Sequence, residues 1–218
     1  MPTPDLYPIG FTTLVHRMAR ELEGDSLYGI AQKDWWVPDP QRNLEMSHLG
    51  KPIASPVGPA SGPHTQLAQN LLLSWLVGGR FMELKTVQVN DELEIPRPCI
   101  FVPHVGYNVE WSQELRVPQS AAEYVKGWML LHMLCSEHGP GLWEAPQTIF
   151  DISLGYDLEG IRSDKVRAYL NTMRDGEALI ANLREELPAS LARWREVEVP
   201  SQISDTITLS TFHGCPAH

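Results

Sequence analysis

A strand–helix–strand pattern over residues 51–89 constrains the fold of this chain more than any other feature. The decapeptide KPIASPVGPA at 51–60 predicts a short buried strand, and SGPHTQ after it predicts a turn. An apolar helix is predicted over 65–77, with Thr65 at its N-cap and two glycines after its end. RFMELKTVQV at 80–89 predicts the next strand. Strand, helix and strand with short connections are typical of a βαβ unit with two parallel strands.

The rest of the chain repeats this rhythm less regularly. Residues 12–23 predict a short amphipathic helix, and residues 120–136 predict a longer one capped by Ser120. A largely helical region is expected over 162–194, with breaks near Gly176 and at Pro188. Trp35 and Trp36 are expected to cover an edge of the core. A further strand is predicted over 98–104, with a long loop after it through Asn108. The segments predicted to be adjacent parallel strands are 53–58, 81–87, 148–154 and 206–211.

This order of elements predicts an α/β fold built on a parallel (β/α) barrel. A complete eight-stranded barrel usually needs about 250 residues, and the chain has 218 in all. We therefore expect about the first half of a barrel over 51–218, or a smaller open sheet, preceded by an irregular N-terminal extension over 1–50. The expectation includes a truncated or fragmentary chain that is marginally stable by itself and self-associates, because half a barrel leaves strand edges unpaired.

Charge and cysteine content exclude several classes of function. Asp and Glu number 27 against 17 Lys and Arg, giving a net charge of −10, and such a balance disfavours nucleic acid and anionic membranes as partners. The three cysteines, Cys99, Cys135 and Cys215, form no C-x-x-C pair, so we expect no disulfide framework and no iron–sulfur or zinc site built from cysteine alone, in a reducing, cytoplasmic setting. The histidines form no H-x-x-x-H or H-E-x-x-H motif, so we expect no histidine metal site either. The N-terminus lacks the pattern of a secretory signal.

Three predicted strand ends carry residues capable of chemistry. They are the small-residue loop from Ala60 to His64, the pair Lys85-Thr86, and the turn from His213 to Pro216 that contains Cys215. Because function in parallel α/β folds gathers at the carboxyl ends of strands, we expect all three on one rim. Each also has a structural interpretation: a tight turn, a solvated lysine, and a rigid Gly-Cys-Pro turn.

Several motifs carry a resemblance to a known family. The run SPVGPASGPHTQLAQNLLLSWLVGGRFMELKTVQV at 55–89 resembles the N-terminal region of the "putative selenate reductase" family, bacterial oxidoreductases related to dihydropyrimidine dehydrogenase and the glutamate synthase small subunit. Further agreement lies in RPCI, NVEWSQEL, SLGYDLEGI and TLSTFHGCPAH. The resemblance implies a barrel segment that takes part in electron exchange between a flavin and a small planar or oxyanion substrate.

The strand-end loops are also similar, more distantly, to dihydroorotate dehydrogenase barrels, which bind flavin mononucleotide (FMN). That resemblance implies that Ala60, Ser61 and Gly62 contact the isoalloxazine edge through their backbone. It also implies that Lys85 and Thr86 lie near the N1 and O2 atoms of the ring, where a cation stabilises reduced flavin. It also implies that Asn108 binds a planar heterocyclic substrate, and we include His64 among the substrate-binding candidates.

The same resemblance concerns proton transfer. Cys215-Pro216 is similar to a Ser-Cys-Pro-Asn motif whose cysteine exchanges a proton with substrate carbon. Here Gly214 and Ala217 replace the flanking Ser and Asn, and a shifted register places Thr211 at the cysteine position. Both residues stay candidates for the catalytic role.

The family resemblance further implies iron–sulfur clusters, FAD and NAD(P) in downstream domains, together with the other half of the barrel. The alternatives are a non-catalytic docking or assembly module, and a small α/β binding protein without flavin.

Overall fold

The structure is a computed structural model that describes residues 6–90, 100–102, 106–108 and 115–210. Short 3₁₀ turns lie at Gln32–Asp34, Pro63–Gln66 and Ala189–Leu191. The strands and helices of the described residues are, in chain order, α1 Phe11–Glu21, β1 Ser26–Leu27, β2 Ile30–Ala31, β3 Met46–His48, β4 Lys51–Ile53, α2 Ala68–Leu76, β5 Phe81–Glu83, β6 Ile100–Val102, β7 Gly106–Asn108, α3 Val117–Leu134, β8 Ile149–Gly155, α4 Leu158–Ile161, α5 Asp164–Arg174, α6 Glu177–Glu185, α7 Ala192–Arg195 and β9 Thr206–Ser210.

A parallel sheet of order β5-β8-β9 forms the centre of the described residues. Strand β8 is buried along its whole length. Its even-numbered residues Phe150, Ile152 and Leu154 pack into the core that the helices also line. Since successive strand side chains point to opposite faces, Asp151 and Ser153 lie on the other face. The sequence prediction of adjacent parallel strands over 81–87, 148–154 and 206–211 is confirmed for the described residues.

The parallel strand predicted over 53–58 is wrong, because no regular parallel strand forms there. Lys51–Ile53 pairs antiparallel with Met46–His48, and no regular strand continues from it. Further along the chain, Val57 lies beside the start of β5. Its carbonyl accepts hydrogen bonds from the Arg80 and Phe81 N–H groups at 2.7 and 3.2 Å. Prolines at 56 and 59 have no N–H to donate in return, so a regular ladder cannot form.

Gly58 allows this close approach. A Cβ atom added there would lie 1.5 Å from the Phe81 carbonyl oxygen, a distance that no side chain can occupy. The Glu83 N–H then donates to Pro59 O at 3.3 Å. The segment 57–59 therefore runs directly beside β5 and delivers Ala60 and Ser61 to the end of that strand.

The segment around residue 100 also differs from the prediction. Ile100–Val102 pairs antiparallel with Gly106–Asn108 in a hairpin of its own. Residues 106–108 are thus a strand, where the sequence predicts a loop. The remainder of the predicted strand at 98–104 lies outside the described residues.

Both predicted N-caps are wrong. The N-cap of α2 is Leu67, and the buried Glu123 carboxylate accepts the Ala68 N–H at 2.9 Å in place of a local cap. Helix α3 begins at Val117, three residues before Ser120, with a proline in its first turn. At its start, the Arg116 N–H donates to Gln119 Oε1 at 2.9 Å. A carboxylate of α3 therefore replaces the expected Thr cap of α2, and a glutamine in the first turn of α3 replaces the expected Ser cap.

The N-terminal region packs into the same core as the sheet. Helix α1 buries Phe11, Leu14, Val15 and Met18. The indole rings of Trp35 and Trp143 have centroids 5.7 Å apart, and Trp36 lies over the buried guanidinium of Arg80. The predicted role of the paired tryptophans at the edge of the core is confirmed. The sequence predicts that the N-terminal extension ends at residue 50, and this residue lies in the turn between β3 and β4.

Candidate functional site

Three hydroxyl groups from three separate segments meet at the carboxyl ends of the parallel strands. Ser61 Oγ lies 3.1 Å from Thr86 Oγ1, and Thr86 Oγ1 lies 2.8 Å from Ser153 Oγ. The Thr86 N–H also donates to Ser61 Oγ at 2.9 Å. Ser61 is half-buried, whereas Thr86 and Ser153 are buried. We call this group the hydroxyl chain; it runs from the partly open loop after residue 60 into the sheet.

Lys85 and Thr86 lie in a bulge just after β5. Glu83 pairs with Asp151 and Val87 with Leu154, so four steps along one strand match three along the other. The Leu84 N–H donates to Asp151 O at 3.0 Å and the Val87 N–H donates to Ser153 O at 2.9 Å, which leaves the two residues between them outside the ladder. Bulges change the direction of side chains and occur next to active sites.

Lys85 is buried, with 1% of its surface exposed. Its backbone carbonyl accepts a hydrogen bond of 3.1 Å from the Tyr124 hydroxyl. Burial raises the pKa of Tyr124 well above its ordinary value, so this phenol stays a neutral donor. The interpretation of Lys85 as a solvated surface residue is therefore wrong: this side chain belongs to the interior, and Tyr124 of α3 holds its backbone in place.

The loop after residue 59 is ordered by hydrogen bonds to Glu83 of β5 and within the loop itself. The Ser61 N–H donates to Glu83 Oε2 at 3.0 Å, and the Gly62 N–H donates to Thr65 Oγ1 at 3.3 Å. Thr65 in turn donates from its hydroxyl to Gly62 O at 3.0 Å. Ala60 is exposed beside them. The N–H groups of Ser61 and Gly62, which the resemblance assigns to flavin, thus already have acceptors in Glu83 of β5 and in Thr65.

His64 lies on the outer part of the same loop. It is exposed, and its carbonyl accepts a hydrogen bond from the Asn70 side chain at 2.9 Å. The structure thus brings Ser61 and Thr86 into direct contact and puts Lys85 next to them along the chain. It gives His64 a more peripheral position.

The polar face of the sheet continues below the hydroxyl chain. Glu83 and Asp151 are register partners on neighbouring strands, and the Thr208 hydroxyl donates to Asp151 Oδ2 at 2.6 Å. Behind the sheet, Tyr169 is buried, and no described group pairs with its hydroxyl. Burial raises the pKa of Tyr169 well above its ordinary value, and electrostatic interactions with Tyr124 and Asp151 raise it further.

Sequence reasoning missed Ser153 and Asp151. The signal was present, since both alternate with apolar residues in a strand that is buried throughout. A buried strand with polar residues on one face indicates that this face meets something polar. Three other candidates cannot be placed: Thr211 and Cys215 are outside the described residues, as is the side chain of Asn108.

The remaining chemistry-bearing groups of the described residues do not form a second reactive centre. Cys135 is a free thiol, and burial raises its pKa to about 12, although the nearby Arg80 charge opposes this shift. Such a thiol stays protonated near neutral pH and is a poor nucleophile. Within the described ranges, no cluster of three or more His, Cys, Asp or Glu could hold a metal ion. None of the helices there is long and apolar enough to cross a membrane.

A parallel α/β sheet with polar side chains gathered at the carboxyl ends of its strands is the arrangement of a TIM-barrel domain. A family model agrees with this: the model described as "Oxidoreductase YgfK, N-terminal TIM-barrel domain" matches residues 28–218. The chain belongs to this family. The expectation of a parallel (β/α) barrel from the sequence is confirmed.

Two curated relatives give the same picture. They come from Escherichia coli strains K12 and O157:H7, and both carry the name "Putative oxidoreductase YgfK". Each is 37% identical to this chain over 236 aligned positions, which cover 97% of the chain and 22% of the relative. The chain therefore spans about a fifth of the length of these relatives. Their names state an oxidoreductase and do not mention selenate.

Proposed function

We propose that this chain forms the FMN-binding barrel segment of a flavin-dependent oxidoreductase, in which electrons pass between the flavin and a small planar or oxyanion substrate. The observation that carries the proposal is the hydroxyl chain Ser61–Thr86–Ser153, located next to the buried Lys85 at the carboxyl ends of parallel strands. Polar groups at that end of a barrel serve binding and catalysis in this class of fold.

The donor set at this rim suits a flavin ring. Isoalloxazine presents carbonyl oxygens and ring nitrogens along one edge, and these pair with hydroxyl and ammonium donors. Ser61 and Thr86 offer hydroxyls, and Lys85 offers a cation that is already desolvated. Since the Ser61 and Gly62 N–H groups already donate to Glu83 and Thr65, the side chains and Ala60 provide the contacts in this proposal.

Each residue then has a distinct task. Bound flavin would supply the hydride and electron chemistry. Lys85 favours negative charge at the ring edge beside it, because the field of an ammonium in a dry site is weakly screened. Tyr124 keeps the Lys85 backbone in position through its hydroxyl. Thr86 and Ser153 hold Ser61 in place, so that the loop meets the ring in one orientation.

The substrate side of the site involves His64 and three candidates whose side chains lie outside the described residues. We assign Asn108 to binding of a planar or oxyanion substrate, with His64 at the entrance. Cys215 or Thr211 would exchange a proton with the substrate. These assignments rest on the sequence motifs and on the position of Thr206–Ser210, the strand that leads to both candidates.

The exposed edge strand β9 suggests which partners this segment has. Ile207 and Leu209 of β9 are 39% and 62% exposed, and β9 is the last strand of the described sheet. Apolar side chains at a sheet edge invite further pairing. The relatives are several times longer than this chain, so we propose that additional barrel strands cover β9. Domains with iron–sulfur clusters, FAD and NAD(P) would complete the electron path in a cytoplasmic enzyme.

The test is the flavin content of the complete gene product that contains this chain. After purification, denaturation and chromatography of the released cofactors, we expect FMN at about one equivalent per chain, with any FAD counted separately. A protein that contains no FMN and binds none on titration would contradict the proposal. That result would favour the second candidate, a non-catalytic assembly module, for which the exposed apolar edge of β9 is the supporting observation.

A further inference from the structure

Tyr156 has an unusual backbone conformation at the end of β8. Its φ angle is +84°, in the region that glycine adopts readily and that other residues enter at a cost. The residue directly follows Gly155, the last residue of the strand. It therefore lies at the carboxyl end of the strand next to β5, the end at which the hydroxyl chain is found.

The hydrogen bonds on both sides of Tyr156 hold it in this conformation. Before it, the Gly155 N–H donates to Val87 O at 3.1 Å. After it, the Asp157 side chain caps α4 by accepting the Gly160 N–H at 2.7 Å. Both neighbours are thus fixed by the fold, and Tyr156 has to bridge them. Strained residues of this kind persist where the surroundings determine them, and they cluster at ligand sites.

The turn that contains Tyr156 is attached to the segment that follows Lys85 and Thr86. A Cβ atom added at Gly160 would lie 2.8 Å from Val89 Cγ1, so the start of α4 packs tightly on that segment. The Lys165 ammonium donates to Val89 O at 2.8 Å. These contacts make the loops after β5 and after β8 one continuous wall of the rim.

The described packing gives no reason for a tyrosine at this position. Tyr156 is half-buried, and it is not among the residues that form or flank the hydrophobic core. Within the described ranges its hydroxyl makes no hydrogen bond. Glycine would satisfy the backbone without strain, so the aromatic side chain has to be accounted for by something outside this packing.

We infer that Tyr156 is a flavin-contacting residue, whose ring packs against the isoalloxazine from the β8 side of the rim. The inference rests on the proposed function and extends it to a residue that the motifs do not assign. Aromatic rings stack on planar heteroaromatic ligands with little loss of side-chain entropy. The strain at φ +84° is then the cost of presenting that ring at a fixed place.

The test compares three variants of the complete gene product by titration with FMN. Tyr156→Gly removes both the strain and the ring, so we expect the unfolding midpoint to hold or rise by about 2 °C while the FMN dissociation constant increases about tenfold or more. Tyr156→Phe keeps the ring and should bind FMN within about twofold of the parent. Leu49→Gly is the matched control, because Leu49 also has a positive φ of 49° but is exposed in the β3–β4 turn; it should leave FMN binding unchanged.

The outcomes separate this inference from the proposed function. If Tyr156→Gly binds FMN as tightly as the parent, Tyr156 is no flavin contact, although the proposed function stands. If the parent itself binds no FMN, both fail. Should Tyr156→Gly fold poorly, Tyr156→Asn replaces it, since Asn also tolerates positive φ; parental affinity in that variant would equally overturn the inference.

Discussion

The Thr86 N–H donates to Ser61 Oγ at 2.9 Å, while the Thr86 hydroxyl lies 3.1 Å from the same oxygen. This double contact joins two loops that are 25 residues apart in the chain. It exists because the bulge between Glu83 and Val87 frees the Thr86 N–H from the strand ladder. A regular strand would have used that N–H for pairing.

Removing the Thr86 hydroxyl should loosen the rim without changing its shape. Thr86→Val keeps the β-branched form but leaves Ser153 Oγ and Ser61 Oγ without their shared partner, which costs about 1–3 kcal/mol where such groups are buried. We expect FMN affinity to fall about tenfold, measured by titration of the complete gene product. Thr172→Val removes an exposed helical hydroxyl that bonds to Ala168 O and should have no effect. Parental FMN affinity in Thr86→Val would contradict a role for the hydroxyl chain.

The charge of Lys85 should affect reduced flavin more than oxidised flavin. Reduced FMN can carry a negative charge at its N1 and O2 edge, so loss of a nearby cation disfavours reduction. In Lys85→Met we expect the two-electron midpoint potential of FMN to fall by about 30 mV or more, equivalent to about a tenfold change in the equilibrium. Redox titration with reference dyes measures this shift. Lys33→Met, at an exposed position, should keep the parental potential, and an equal potential in both variants would remove Lys85 from the site.

Acid should loosen helix α3 through His132. Burial lowers its pKa to about 4, while an unfolded chain has a histidine pKa near 6.5. Between those values the unfolded state binds more protons, so stability falls as the pH drops from about 6.5 to about 4, by up to about 1.4 kcal/mol per pH unit. His132 Nε2 is buried without a partner among the described residues, which agrees with a neutral ring.

The variant His132→Phe should flatten this pH dependence. Hydrogen exchange of the α3 amides, corrected for intrinsic rates, measures the effect in the complete gene product between pH 7 and pH 5. We expect protection in the parent to fall more steeply than in His132→Phe, whereas His16→Phe, at an exposed site, should follow the parent. Identical slopes in the parent and His132→Phe would show that His132 does not couple folding to protons.

The parallel sheet could be predicted because its strands have strong patterns. Residues 150–154 alternate between apolar core positions and small or polar ones, and tertiary contacts do not override that signal. The segment 53–58 was harder, because prolines break the ladder while Gly58 still keeps the chain against β5. Its apolar content indicates burial, but hydrogen-bond pairing depends on which residues can donate an N–H.

The candidate site was predictable only in part, for physical reasons. Ser61, Lys85 and Thr86 stand at strand ends, where position in the chain indicates function. Ser153 lies within a strand, and its role depends on the one-residue offset between β5 and β8, which no local pattern encodes. The same holds for Glu123, whose carboxylate caps α2 from a distant helix. Contacts of this kind depend on the register of the whole fold.

The most direct test of the central claim places a large side chain at the proposed flavin edge. Ala60 is exposed beside Ser61, so Ala60→Trp should fold normally while it blocks the rim. Ala189→Trp, at an exposed position in the 3₁₀ turn before α7, is the matched control. The measurement is the FMN content per chain of the complete gene product, with FAD determined in the same sample. We expect Ala60→Trp to lose FMN and keep any FAD, and Ala189→Trp to keep both; full FMN occupancy in Ala60→Trp would contradict a flavin site at this rim.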